Sequence, residues 1–107
     1  MKKTEIARKI ETIFKKYGLG DTRIYFNNKA WDYDSNGVKT IIEDIKGSDC
    51  NEYSNDDTIT ATFEGGVYMA FFDYRDFSIE EELINMLEPY GYYYELGNQW
   101  NFTLHKI

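Results

Sequence analysis

Apolar positions change their spacing repeatedly along this chain, and each change marks an element. Ile6, Ile10, Ile13, Phe14 and Tyr17 recur at helical intervals, and Gly18 stands where a left-handed C-terminal cap belongs. Residues 4–17 are therefore predicted to form a helix that buries one stripe. From Thr22 the interval falls to two: Arg23 to Phe26 is strand-like, Asn27-Asn28 reads as a break or bulge, and Trp31 and Tyr33 lead toward a turn. Asn36-Gly37 is a strong hairpin signal, since both central residues of a type I′ turn need positive φ, and Val38 to Ile45 is the returning strand. Residues 47–57 form a polar loop. Ile59, Ala61 and Phe63 then alternate with Thr58, Thr60 and Thr62, and Gly65-Gly66 closes a second hairpin in which Phe63 faces Tyr68, Ala61 faces Ala70 and Ile59 faces Phe72. Val67, Met69 and Phe71 fall on the other face, which is then partly covered or sticky.

Ser78-Ile79-Glu80-Glu81 has the capping-box pattern, and Ile79, Leu83, Leu87 and Tyr90 form the buried stripe of a second helix that ends near Pro89 and Gly91. Tyr92 to Leu96 and Trp100 to His105 make a last hairpin around Gly97-Asn98, with Tyr93, Trp100, Phe102 and Leu104 on its core face. The expected fold is α+β, a single domain over residues 1–107. It has an antiparallel sheet of about six strands in three hairpins, with two helices packed on one face.

Composition supports a self-sufficient core. At 107 residues, with 42% apolar and 18% aromatic positions, one domain can bury about two-thirds of its unfolded surface. The lone Cys50 cannot form an internal disulfide, Met-Lys-Lys-Thr-Glu runs into an amphipathic helix instead of a signal peptide's apolar stretch, and nothing is long and apolar enough to cross a bilayer. The expected location is the cytoplasm of a bacterial host cell, with no membrane partner.

Charge changes the picture more. Residues 1–48 carry ten Lys/Arg against seven Asp/Glu, a net of +3, whereas residues 49–95 carry twelve acids against Arg75 alone, a net of −11. Charge of one sign at that density opposes direct contact with nucleic acid and serves either solubility or a basic partner. The basic outer face of the first helix (Arg8, Lys9, Lys15, Lys16) is balanced by Glu5 and Glu11 four residues before Lys9 and Lys15, so a solvated face is the preferred reading.

Candidate chemistry is sparse. Asp32-Tyr33-Asp34-Ser35-Asn36-Gly37, with Glu43 twelfth, matches the calcium-loop pattern, but the flanks are not helical and the same Asn-Gly serves a hairpin, which is preferred. Cys50 lies in an acidic loop that suppresses its thiolate, His105 is the one histidine and reads as an exposed strand residue, and zinc needs more Cys and His than this. Gly65-Gly66 lies between strands and opens no phosphate-binding helix. The chain is expected to be non-enzymatic, without cofactor or metal. Tyr90, Tyr92, Tyr93 and Tyr94 suit core and protein interface better than base stacking, because their surroundings are acidic.

The runs Ile42-Glu43-Asp44-Ile45-Lys46-Gly47-Ser48-Asp49 and Tyr93-Tyr94-Glu95-Leu96-Gly97-Asn98-Gln99-Trp100-Asn101 resemble stretches of small proteins carried by phages and conjugative elements of Gram-positive bacteria. In size and acidity the chain is similar to the anti-CRISPR proteins of that setting. The resemblance implies an inhibitor whose partner is a bacterial effector nuclease such as a CRISPR-associated protein; it carries over no residue's role. From the charge pattern, Asp73, Asp76, Glu80, Glu82, Asp56, Asp57 and Glu64 are the expected partner-binding carboxylates, offered to a basic groove in the manner of a nucleic-acid mimic, with Glu81 reserved for the helix cap. Same-face strand neighbours, about 6.8 Å apart, suit that mimicry. The alternative is an interaction module, or a homodimeric accessory protein, that uses the aromatic hairpin and the face of Val67, Met69 and Phe71.

Overall fold

A computed structural model of the chain describes residues 2–49, 58–63, 78–98 and 101–107. The amphipathic N-terminal segment forms helix α1, Lys2–Lys16, and Gly18 follows it at φ 66, the left-handed geometry that a C-terminal cap requires. Strands β1 (Thr22–Phe26), β2 (Lys29–Tyr33) and β3 (Lys39–Glu43) make a meander, followed by a short 3-10 turn at Gly47–Asp49. Strand β4 is Thr60–Phe63; helix α2, Ser78–Leu87, runs into a 3-10 turn at Glu88–Tyr90 closed by Gly91 at φ 79. Strands β5 (Tyr92–Asn98) and β6 (Asn101–Lys106) complete the described elements.

The six strands form one sheet in the order β3-β2-β1-β4-β6-β5, and every neighbouring pair is antiparallel. Both helices contribute to one core cluster with the same strand residues: Ile6, Ile10 and Phe14 of α1 and Ile79, Leu83 and Leu87 of α2 join Ile24, Trp31, Phe63, Phe102 and Leu104. The helices therefore share one face, as the α+β expectation requires. The two buried stripes follow the predicted periodicity, with Tyr17 and Tyr90 packed at its margin.

Strand membership differs from expectation at three places. Asn27 and Asn28 have φ of 51 and 59, and Phe26 pairs with Lys29, so the expected break is a two-residue hairpin with both residues in the left-handed region. One long strand is thereby split into β1 and β2. At the next turn only Gly37 has positive φ, at 78; its amide bonds the Asp34 carbonyl at 2.9 Å and the Asp34 amide bonds the Val38 carbonyl at 3.1 Å. This is a type I turn with a glycine bulge in place of the expected type I′ turn. The Asp34 carboxylate also accepts the amides of Asn36 and Val38, which fixes the turn locally.

Strand β4 is the third difference. Ala61 lies between Ile24 of β1 and Phe102 of β6, so both of its sheet neighbours come from distant segments instead of the expected hairpin partner. The returning arm of that hairpin, with Val67, Met69 and Phe71, lies outside the described residues, as do Gly65-Gly66 and Cys50. In the last hairpin Tyr94 pairs with Leu104 and Tyr93 with His105, and a bulge between Leu96 and Asn98 shifts the register. Tyr92 and Tyr94 therefore face the helices, while Tyr93 turns to the opposite face and is 47% exposed, reversing its expected core position.

The face away from the helices is not a plain solvent surface. Thr60, Asn101 and Thr103 are buried there, with the Thr60 and Thr103 hydroxyls 3.1 Å apart, and the Thr58 hydroxyl donates to the Leu104 carbonyl. The expectation of a partly covered or sticky face rested on Val67, Met69 and Phe71, which lie outside the described residues; in the described part the hydroxyls of Thr58, Thr60 and Thr103 hydrogen-bond within the protein.

Candidate protein-interaction site

Successive residues of a helix point about 100° apart, so the three consecutive glutamates at the start of α2 take three directions. Glu80 turns toward the sheet, where the Tyr94 hydroxyl donates to its Oε1 at 2.5 Å. Glu82 turns toward α1 and accepts from the Lys16 Nζ at 2.9 Å and from the Tyr17 hydroxyl. Glu81 is exposed and, like that of the exposed Glu88 about two turns on, its side chain has no hydrogen bond or ion pair among the described residues.

Titration follows these contacts. The Tyr94 phenol is pushed well above its ordinary range by burial and by the Glu80 carboxylate beside it. Hydrogen bonds from Tyr17 and Lys16 hold the Glu82 carboxyl below its ordinary value, and Glu82 in turn raises both partners. The Lys16–Glu82 pair is solvent-facing, so its stabilisation is modest. Glu80 and Glu82, expected to bind a partner, thus have internal partners that tie α2 to β5 and to α1. Glu81, assigned to the cap, is the one left free at the surface. Asp73, Asp76, Asp56, Asp57 and Glu64 lie outside the described residues.

Beside this acidic turn a groove runs between α2 and β5. Ile84, Leu87, Tyr92 and Ile107 line it, Glu80 and Glu88 stand at its rim, and Tyr93 flanks it. Ile84 is 44% exposed and Ile107 78%. Apolar side chains exposed together beside carboxylates are the property of an interaction surface, and sequence periodicity had assigned only Leu87 and the tyrosines here. Ile84 was missed because it lies off the buried stripe.

A second polar cluster sits near the far end of the sheet. Glu11 accepts from the Tyr33 hydroxyl and lies 3.0 Å from the Lys39 Nζ, while Lys15 approaches its other oxygen at 3.6 Å. The Lys39 ammonium stands 3.5 Å from the Trp31 ring centroid, a cation–π contact on a buried indole. Burial alone would raise the Glu11 carboxyl, but the Tyr33 bond and the Lys39 charge outweigh it and its pKa falls below the ordinary 4.5. A carboxylate with a depressed folded pKa stabilises the fold above its unfolded pKa, and that stability is lost as pH drops through the folded value. Wild-type protein is therefore expected to exceed Glu11→Gln in stability at neutral pH, with the gap closing below about pH 4.5. Urea denaturation of both proteins across that range checks this; a gap independent of pH contradicts it.

Asp32, the first residue of the calcium-loop pattern, is in β2 and holds Arg23 Nε at 2.8 Å. Asp34 holds its own turn, and Glu43 is exposed at the end of β3, so this segment is the expected hairpin in place of a helix-flanked loop. His105 is half-buried against Tyr93, their ring centroids 5.5 Å apart, which corrects its expected exposure. Among the described residues no group of three His, Cys, Asp or Glu is placed to hold a metal ion, and no helix is long and apolar enough to cross a membrane. No family model, no curated protein and no solved structure matches the chain.

Proposed function

We propose that this chain is a non-enzymatic inhibitor that binds a bacterial nucleic-acid-handling defence protein, foremost a CRISPR effector nuclease, by offering carboxylates to its basic groove. The observation that carries this reading is that the exposed carboxylates of Glu81 and Glu88 have no partner among the described residues, and that Glu88 lines an open apolar groove. Lys and Arg are absent from residues 76–105, so no lysine or arginine of that stretch offsets them. Carboxylates without a partner among the described residues, held on α2 and the 3-10 turn that follows it next to apolar side chains, suit a partner that is both basic and apolar.

The test is inhibition of cleavage by a panel of purified CRISPR effector nucleases. Inhibition of at least one is expected, weakening as ionic strength rises, and Glu81→Lys with Glu88→Lys is expected to weaken it about tenfold or more with an unchanged circular dichroism spectrum. Charge reversal at Glu80 and Glu82 is the poorer experiment, because it also breaks the bonds to Tyr94, Tyr17 and Lys16. No inhibition across the panel, or inhibition indifferent to the double reversal, rejects the reading. Exposed Ile84, Tyr93 and Ile107 favour a second one, an interaction module with a mainly apolar interface. Its signature is binding that survives high salt and is lost in Ile84→Asp.

A further inference from the structure

At the edge of the sheet opposite the groove, β3 presents Lys39-Thr40-Ile41-Ile42-Glu43, exposed except for half-buried Ile42. Hydrogen bonding to β2 alternates along an antiparallel ladder, and the bond from the Asp34 amide to the Val38 carbonyl sets its phase. Thr40 and Ile42 therefore bond inward to β2, whereas Lys39, Ile41 and Glu43 direct their backbone amides and carbonyls outward. No hydrogen bond among the described residues takes those outward groups up. Two large apolar side chains accompany them: Ile41 is 53% exposed and Val38 60%.

An open, partly apolar edge is a template for another strand, and proteins usually blunt such edges with charge, proline, a bulge or a cover. Charges placed to repel a copy of the same strand would be alike at both ends. Here they are opposite. When the strand is reversed and laid beside itself, Ile41 faces its own copy and Lys39 faces the partner's Glu43 at each end. We propose that β3 pairs with β3 of a second copy of this chain, antiparallel and about a two-fold axis through Ile41, so that two six-stranded sheets become one. The outward residues then form three hydrogen-bonded pairs, with about six backbone bonds between them. Lys39 is already set at its end of the strand by Glu11 and the Trp31 ring, while the Glu43 side chain has no partner among the described residues. The other edge lacks this self-complementarity, because the one charged residue of β5 is Glu95. Pairing through β3 also leaves the groove between α2 and β5 open at each far end of the joined sheet, so this inference stands independently of the inhibitor reading.

Sedimentation of the full chain over a concentration series tests it, paired with amide hydrogen exchange measured at the dilute and concentrated ends. The expected result is twice the mass of the chain at high concentration, with the Lys39, Ile41 and Glu43 amides slowing as the dimer forms while Thr40 and Ile42 are protected throughout. Glu43→Lys places like charges opposite each other twice per interface and is expected to weaken dimerisation about tenfold. A protein that stays monomeric at its highest soluble concentration overturns the proposal. So does a dimer in which those three amides exchange no more slowly, or one that Glu43→Lys leaves unchanged.

Discussion

Phe102→Ala is expected to destabilise the protein by about 3–5 kcal/mol, the cost of truncating a fully buried aromatic whose neighbours cannot close the cavity. Phe102 is 0% exposed, and its ring centroid lies 5.9 Å from those of both Phe63 and Tyr94 and 6.4 Å from that of Phe14. It therefore joins β4, β5 and α1 at a single point. Against a usual total of about 5–15 kcal/mol, this loss removes a large share of the stability. Tyr93→Ala is the informative control, since Tyr93 lies in the adjoining strand but on the opposite, half-open face. Urea denaturation of the two variants is expected to show a loss well under that of Phe102→Ala for Tyr93→Ala. Equal losses would mean that the register of β5 on β6 is wrong.

Gly20→Ala is expected to cost about 1–3 kcal/mol through steric crowding alone. A methyl group at Gly20 would lie 2.7 Å from the carbonyl oxygens of both Asp34 and Ser35. Both are backbone atoms of the turn between β2 and β3, so neither can swing aside as a flexible side chain would. The neighbouring Asp21 amide bonds the Asp34 carbonyl at 3.0 Å, which locks the two segments at that spacing. Gly37 supplies the contrast: it has φ 78 and open space around its Cα, so Gly37→Ala tests backbone strain without crowding. Thermal unfolding should place Gly20→Ala below wild type. A melting temperature unchanged by that substitution would show that the link between α1 and β1 does not pack against this turn.

Local rules made much of the fold legible. Helical spacing located the buried faces of α1 and α2, and Gly18 and Gly91 marked the ends of the helical segments because each needs a left-handed backbone. Asn27-Asn28 was harder to read, since asparagine tolerates positive φ without requiring it as glycine-rich turns do. The bulge near Leu96 reversed which tyrosines face the core, and a period-two pattern has no means of registering one extra residue. The neighbours of β4 were illegible for a different reason: β1 and β6 reach it from distant parts of the chain. At the candidate site the acidic character of α2 was evident from composition. Which glutamate remains free depends on where Tyr94, Tyr17 and Lys16 arrive, and no local pattern encodes that.

The position of β4 also dictates an order of assembly. Strands β1, β2 and β3 are joined by short turns and can pair as soon as they are made, but β4 must close a loop back to β1 and then wait for β6. The Thr60–Thr103 contact spans 43 residues, so the middle of the sheet is among the last parts to be completed. Long-range strand pairing of this kind delays loop closure until most of the chain is available, which slows folding relative to a helical bundle. During synthesis the meander would stand with one edge of β1 unfilled, and the C-terminal hairpin supplies the final strands that turn a local unit into a cooperative domain.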